Sequence, residues 1–163
     1  MISAILASTA SGGIGFRGTL PWPKHSEDLA QFKQRTTDQV VVMGRKTWDD
    51  PLMPKPLPNR INCVFTTKSL KDPLSARRLS GNIPEQLKLL EQQFHNKEIF
   101  VIGGQELFEA AEPVVQKLYL TRIQGNYFTD TRINLDHWLN LFVIRSVRPG
   151  ENCTYEVWER KYF

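Results

Sequence analysis

The stretch Gln39-Val40-Val41-Val42-Met43-Gly44-Arg45-Lys46-Thr47-Trp48 decides the fold. Residues 39–43 read as a strand, apolar, rich in valine and closed by a glycine. A helical pattern follows at once over 45–50. Two cations and a hydroxyl stand at its start, and cations at a helix N-terminus oppose the helix dipole. A purely structural account of them is strained. An anion held by backbone amides, Arg45 and Thr47 resolves the conflict, so the junction from Met43 through Trp48 reads as a phosphate site.

The same alternation continues on both sides. Strand-like runs occupy 2–8, 60–66, 98–102, 116–123, 141–148 and 153–160, bounded by Gly, Pro, Asn or Asp. Helical patterns fill 27–36, 84–96 and 104–111. Strand and helix in turn predict a largely parallel sheet with helices on both faces. The last two strands flank Arg148-Pro149-Gly150-Glu151-Asn152, a turn sequence, and so form an antiparallel hairpin. With no linker, repeat or low-complexity tract, residues 1–163 read as one α/β domain.

Two further strand ends carry phosphate chemistry. Gly103-Gly104 closes the run ending in Ile102 and precedes a helix starting near Gln105. Without side chains, that backbone can approach a ligand at a helix start. Thr66-Thr67-Lys68 closes strand 60–66. In a parallel sheet these ends share one edge, where open α/β sheets bind ligands. Three such ends suggest a long, multiply phosphorylated cofactor. Gly13-Ile14-Gly15-Phe16-Arg17-Gly18 also fits the dinucleotide fingerprint, but Thr19-Leu20-Pro21-Trp22-Pro23 follows it. That is no helix, so the match is coincidental. The glycines describe instead a mobile loop able to close over a site, anchored by Trp22.

Pro21 to Phe32 carries a candidate reactive group. A rigid Pro-Trp-Pro leads to Ser26, the expected N-cap, then to Glu27 and Asp28. Asp28 and Phe32 share a helix face, which sets a carboxylate beside an aromatic wall. Such a face suits a flat nitrogen heterocycle; the same acid would also stabilise the helix dipole. Glu27 lies about 100° away around the helix, so only one of the two acids faces a pocket.

Composition excludes several classes. No apolar run approaches membrane-spanning length, and Met1 to Ser8 lacks a basic lead, so the expectation is a cytoplasmic protein. Cys63 and Cys153 sit in apolar strands and read as buried hydrophobes. His25, His95 and His137 show no ligand spacing, so no metal is expected. The net charge of +4 is spread along the chain and brings no nucleic-acid motif.

These residues resemble dihydrofolate reductase over nearly the whole chain. The matching segments, in order, are Ile2–Ala7, Gly13-Ile14-Gly15, Leu20-Pro21-Trp22, Asp28–Phe32 with Thr36, and Val42–Trp48. Pro56–Arg60, Val101–Gly104, Leu118–Ile123 and Asp130-Thr131 complete the series. The resemblance implies a twisted, mostly parallel eight-stranded sheet with an antiparallel C-terminal strand and flanking helices. It implies NADPH-dependent reduction of 7,8-dihydrofolate to tetrahydrofolate, serving one-carbon metabolism and thymidylate and purine synthesis. Hydride would pass from the nicotinamide to C6, with protonation at N5.

By the same resemblance, Asp28 pairs with the pterin, Thr121 hydrogen-bonds that acid, and Trp22 holds a proton-relaying water. Ile5, Leu6, Ala7, Leu29, Phe32 and Ile102 would line the pterin pocket. Leu57 would flank the benzoyl ring, and Arg60 would clamp the glutamate carboxylate. For NADPH, Ala7, Ile14, Gly15 and Ile102 would meet the nicotinamide end, and a cis-linked Gly103 and Gly104 the pyrophosphate. The helix start Gln105, Glu106, Leu107 and Phe108 lies beside that pair. Arg45, Phe65, Thr66, Thr67 and Lys68 would gather the adenosine end with its 2′-phosphate. Phe108 stands where the family usually carries a tyrosine, Glu106 where a basic or neutral group is common, and Gln31 where an aromatic is frequent. Antifolate binding and a monomer are further expectations. The alternatives are a same-fold reductase of riboflavin synthesis and a non-catalytic folate-binding structural protein.

Overall fold

Strand–helix alternation in the first two thirds of the chain produces parallel pairing, and the computed structural model describes residues 1–162. In chain order the elements begin with β1 (Ile2–Ser8), β2 (Gly13–Gly15), α1 (Ser26–Thr36), β3 (Val40–Gly44) and α2 (Arg45–Asp49). There follow β4 (Ile61–Phe65), β5 (Arg77–Leu79), α3 (Ile83–Gln93), β6 (Ile99–Gly103) and α4 (Gln105–Ala111). A 3₁₀ turn (Glu112–Val114) leads to β7 (Lys117–Ile123), β8 (Thr131–Arg132), α5 (Leu135–Asn140), β9 (Phe142–Gly150) and β10 (Cys153–Arg160).

The eight-stranded sheet has the order β5-β4-β3-β6-β1-β7-β10-β9, while β2 and β8 pair separately. From β5 to β7 every neighbouring pair is parallel. β10 is antiparallel to both β7 and β9, so it alone runs against the sheet. The predicted α/β sheet with an antiparallel final strand is the one observed.

Both faces are covered. Leu87 and Leu90 of α3, Leu107, Phe108 and Ala111 of α4, and Trp138 of α5 pack on one side with Ala4, Leu6, Val40 and Val42. On the other side, Phe32 of α1 and Trp48 of α2 meet Val41, Met43, Phe100 and Tyr119. The alternation of side chains along each strand sends neighbours to opposite faces. Ile5 therefore faces α1 while Leu6 joins the opposite core.

Several local expectations are corrected. His25, not Ser26, caps α1: its Nδ1 accepts the Asp28 amide at 3.1 Å, and Ser26 is already helical. The helix expected over 84–96 ends at Gln93, after a start set by the Asn82 cap. β2, β5, β8 and α5 went unpredicted, being two to six residues long. Both cysteines are buried and free.

Candidate active site

Asp28 lies in the first turn of α1 and points at the sheet. Thr121 of β7 donates its hydroxyl to Asp28 Oδ1 at 2.8 Å. Burial raises the carboxyl above its usual value, only partly opposed by the Thr121 bond. Its neighbour Glu27 points elsewhere. Glu27 Oε1 accepts the Glu151 amide at 3.1 Å and the Tyr155 hydroxyl at 2.9 Å. Those donors hold its carboxyl below the usual range. The two adjacent acids are thus sorted by geometry, and Asp28 is the one in the cleft.

An open cleft of about 380 Å³, part of it continuous with solvent, lies between α1 and strands β1, β7 and β10. Ile5, Phe32, Thr121 and Tyr155 wall it around Asp28. Leu6 also lies along it, although its side chain belongs to the far core. Ala7, Thr121 and Tyr155 stand in register across the three strands. Ala7 packs with Trp22, Ile123, Cys153 and Tyr155. Trp22 is buried, and its indole N–H has no protein partner. Leu29, on the outer side of α1, is 46% exposed and not among the cleft walls.

Beyond Phe32, the Arg60 guanidinium lies 5.9 Å from the ring centroid. Its Nε donates to Pro58 O at 2.9 Å and one terminal nitrogen to Thr36 Oγ1 at 3.0 Å. Burial lowers its pKa from the usual guanidinium value. Two of its five N–H donors are used, which leaves three for a carboxylate. Leu57 is buried nearby in sequence, its loop pinned by Asn62, which accepts the Leu57 amide and donates to its carbonyl.

The three phosphate-like strand ends fall on consecutive strands, β4, β3 and β6. Gly103–Gly104 is a cis peptide, and Gly103 has φ +127, which side-chain-bearing residues rarely adopt. A Cβ added there would meet the Phe108 ring at 3.4 Å and Thr47 Oγ1 at 3.7 Å. A Cβ on Gly44 would stand 3.8 Å from the Gly103 carbonyl. These bare backbones form a cradle at the N-termini of α2 and α4. Arg45 Nε pairs with Asp49 at 2.9 Å, while its buried NH1 has no partner. A guanidinium nitrogen without a partner beside a glycine cradle fits a phosphate-bearing ligand.

Lys46, Thr67 and Lys68 are exposed along this edge, Phe65 and Thr66 half-buried. At the start of α4, Gln105 is half-buried and Glu106 exposed, but the Leu107 and Phe108 side chains enter the core. Leu107 can therefore offer a ligand only its backbone. Sequence reasoning missed Arg78 of β5, which donates to the Thr66 carbonyl at 3.3 Å and adds a cation at this edge. Only pairing of that three-residue strand with β4 reveals it. Ile14 and Gly15 lie in β2, held by β8, and the Arg17 amide donates to Asp130 Oδ2 at 2.8 Å. No His/Cys/Asp/Glu group able to hold a metal occurs among the described residues.

Comparison with known proteins agrees with this geometry. The family model described as "Dihydrofolate reductase" matches residues 1–156. The chain belongs to the dihydrofolate reductase family. Dihydrofolate reductase type 9 of Escherichia coli is 36% identical over 166 residues, covering 96% of this chain and 92% of the relative. The type 8 enzyme of the same species is 31% identical, with 98% and 96% covered. Dihydrofolate reductase of Rattus norvegicus is also 31% identical, with 98% and 97% covered. A solved dihydrofolate reductase from Enterococcus faecalis, complexed with NADP(H) and RAB-propyl, superposes with a TM-score of 0.83. It is 27% identical, and the match covers 99% of this chain and 97% of that one. The family fold and the cleft thus coincide in one chain.

Proposed function

We propose that the α1 cleft reduces 7,8-dihydrofolate to 5,6,7,8-tetrahydrofolate with NADPH, Asp28 gripping the pterin. The observation that carries this reading is a half-buried carboxyl with a raised pKa, held by Thr121 beside an aromatic wall. An acid so placed forms two charge-assisted hydrogen bonds with a ring nitrogen and its adjacent amino group. Burial disfavours the ionised form and so strengthens the carboxyl's hold on a proton, which suits it to general acid–base assistance. The unpartnered Trp22 N–H supports a role in orienting water beside the reacting ring. Arg60, anchored by Pro58 and Thr36, presents its remaining donors to the glutamate carboxylate.

NADPH supplies the hydride when bound. Arg45, Thr47, Thr66, Thr67, Lys68 and Arg78 would take its phosphates, with Gly44, Gly103 and Gly104 giving backbone access. Ala7, Ile14, Gly15 and Ile102 complete the nicotinamide end, and Leu29 and Leu57 the flanks of the folate. The reading extends to a single domain over 1–163, a monomer in the cytoplasm that also binds antifolates. Among the described residues, no helix is long and apolar enough to cross a membrane. The riboflavin-type reductase and the non-catalytic folate binder are not favoured, because the relatives matched over nearly their whole length are named dihydrofolate reductases.

The test follows absorbance during NADPH oxidation, with and without dihydrofolate, and with NADH in parallel. Oxidation that needs dihydrofolate and prefers NADPH is expected; tight folate binding without turnover would overturn the reading. Asp28→Asn should lower turnover about 10²–10⁴-fold at neutral pH.

A further inference from the structure

The first turn of α1 is tied to the turn between β9 and β10 by groups the chemistry above leaves without a task. His25 Nδ1 accepts the Asp28 amide at 3.1 Å, and the ring's other nitrogen donates to the Glu151 carbonyl at 2.6 Å. The first contact needs an unprotonated Nδ1 and the second an Nε2–H, so one neutral tautomer serves both. Glu27 takes the Glu151 amide and the Tyr155 hydroxyl. Both backbone polar groups of Glu151 are thereby committed to α1.

The choice of an imidazole is informative. α3 and α5 are capped by Asn82 and Asn134, whose side chains accept the amide three residues on. His25 makes that same bond to Asp28 and then uses its second nitrogen to reach the hairpin. Packing tells the same story at Gly150. A Cβ there would stand 2.4 Å from the Tyr155 ring, 2.6 Å from Glu27 Oε1 and 2.8 Å from Cys153 Sγ. Helix and hairpin approach too closely for any side chain. Arg148 of β9 adds an outer tie, donating to Gln31 at 2.9 Å and lying 4.6 Å over the Tyr155 ring. Tyr155 is in turn the cross-strand partner of Thr121, the donor to Asp28. The chain of contacts closes on the reactive acid from both sides.

We propose that the β9–β10 turn is a clamp on α1, in which His25, Glu27 and Tyr155 are positioning residues that hold the Asp28 carboxylate on Thr121 and against the substrate. The inference rests on the reading of Asp28 as the pterin-binding acid. Released from the clamp, the first turn frays and the carboxylate spends time in water, away from its productive geometry. The polar and charged groups around Asp28 are His25, Glu27, Gln31 and Arg35 on or beside α1, Tyr119 and Thr121 on β7, and Cys153, Tyr155 and Glu156 on β10.

His25→Ala, His25→Asn, Tyr155→Phe and Asp28→Asn, compared with the wild type, separate the possibilities. The readouts are thermal midpoint, kcat and KM for dihydrofolate, NADPH affinity and the pH profile of kcat/KM. Asparagine caps α3 and α5 in this same chain, so His25→Asn should recover the midpoint lost in His25→Ala. Its kcat/KM should nevertheless stay about 5- to 50-fold low, because it lacks the arm to Glu151 and small misplacements are costly. Tyr155→Phe conserves volume and should lose a similar factor. In both, the pH profile should move to lower pH as Asp28 gains water, with NADPH affinity unchanged. Recovery of kcat/KM and pH profile together with the midpoint in His25→Asn would reduce His25 to an ordinary cap and overturn the clamp. A wild-type Tyr155→Phe enzyme would do the same. An Asp28→Asn enzyme with wild-type turnover would instead remove the underlying reading of Asp28, so the two failures are distinct.

Discussion

Glu27 and Asp28 differ by one methylene and one position, yet the fold pushes their acidities in opposite directions. Glu27 faces an amide and a phenol at the surface; Asp28 faces the sheet and loses water. A buried carboxylate whose pKa is raised costs stability whenever it is ionised. The native state takes up a proton more readily than the unfolded chain, whose carboxyl titrates near 3.8. Stability from this group is full below that value and lost as pH rises through the higher native pKa. Above that native pKa the ligand-free enzyme carries the whole penalty. Asp28→Asn should raise the thermal midpoint at pH 7 while abolishing most turnover, and the gain should vanish below about pH 4. Melting both proteins across that range checks it; a destabilised variant at pH 7 would contradict the burial argument.

Arg60 offers a second test at the same scale. A charge-assisted pair contributes about 1.5–3 kcal/mol, so Arg60→Ala should weaken dihydrofolate roughly 10- to 150-fold. Binding of a dihydropterin without the glutamate tail should change little. Equal losses on both would deny the clamp on the carboxylate. Asp28 was legible through the resemblance, because the family's acid is followed four residues later by a phenylalanine, here Phe32; the helix pattern alone left Glu27 as a rival. The His25 cap was not, since serine is the better cap by preference and the imidazole's choice depends on Glu151, distant in sequence.

Among the elements, those with a repeating pattern were legible and those made by pairing were not. β3 and β6 announce themselves as apolar runs closed by glycine. Arg77-Arg78-Leu79 has no such pattern and becomes β5 only by zipping onto β4. α5 spans six residues, too short for periodicity, and is marked chiefly by the Asn134 cap and the buried Trp138. What was lost with β5 matters chemically, because it brings Arg78 to Thr66. At this edge Arg45, with a buried unpartnered nitrogen, should matter more than the exposed Arg78. Arg45→Gln is expected to raise the KM for NADPH about 10- to 100-fold and leave NADH nearly unchanged, since only the former has a 2′-phosphate to lose. Arg78→Ala should do the same about 2- to 5-fold, solvent having screened its charge. Steady-state kinetics with both nucleotides decides; a parallel loss on NADH would move Arg45 away from the phosphate.

Across the whole molecule, strand order divides the sheet into two halves that sequence alone could not arrange. Alternation predicted parallel strands but gave no reason for β6 to insert between β3 and β1. That insertion gathers the phosphate-like ends on β4, β3 and β6, and leaves the acid's supports on β1, β7 and β10. The halves meet at the β6–β1 seam, where Ile102 and Ala7 stand one strand apart. A ligand stabilises the state it binds by RT ln(1 + [L]/Kd), about 2.7 kcal/mol at a hundredfold excess over Kd. For a chain of this size that is a rise of roughly 5–10 °C in thermal midpoint. NADPH and a diaminopyrimidine antifolate should each produce such a rise, the first through one half and the second through the other. Asp28→Asn should lose the antifolate shift and keep that of NADPH, and Arg45→Gln should show the reverse. If either substitution abolished both shifts, the halves would not bind separately, and the division of labour read from the strand order would be wrong.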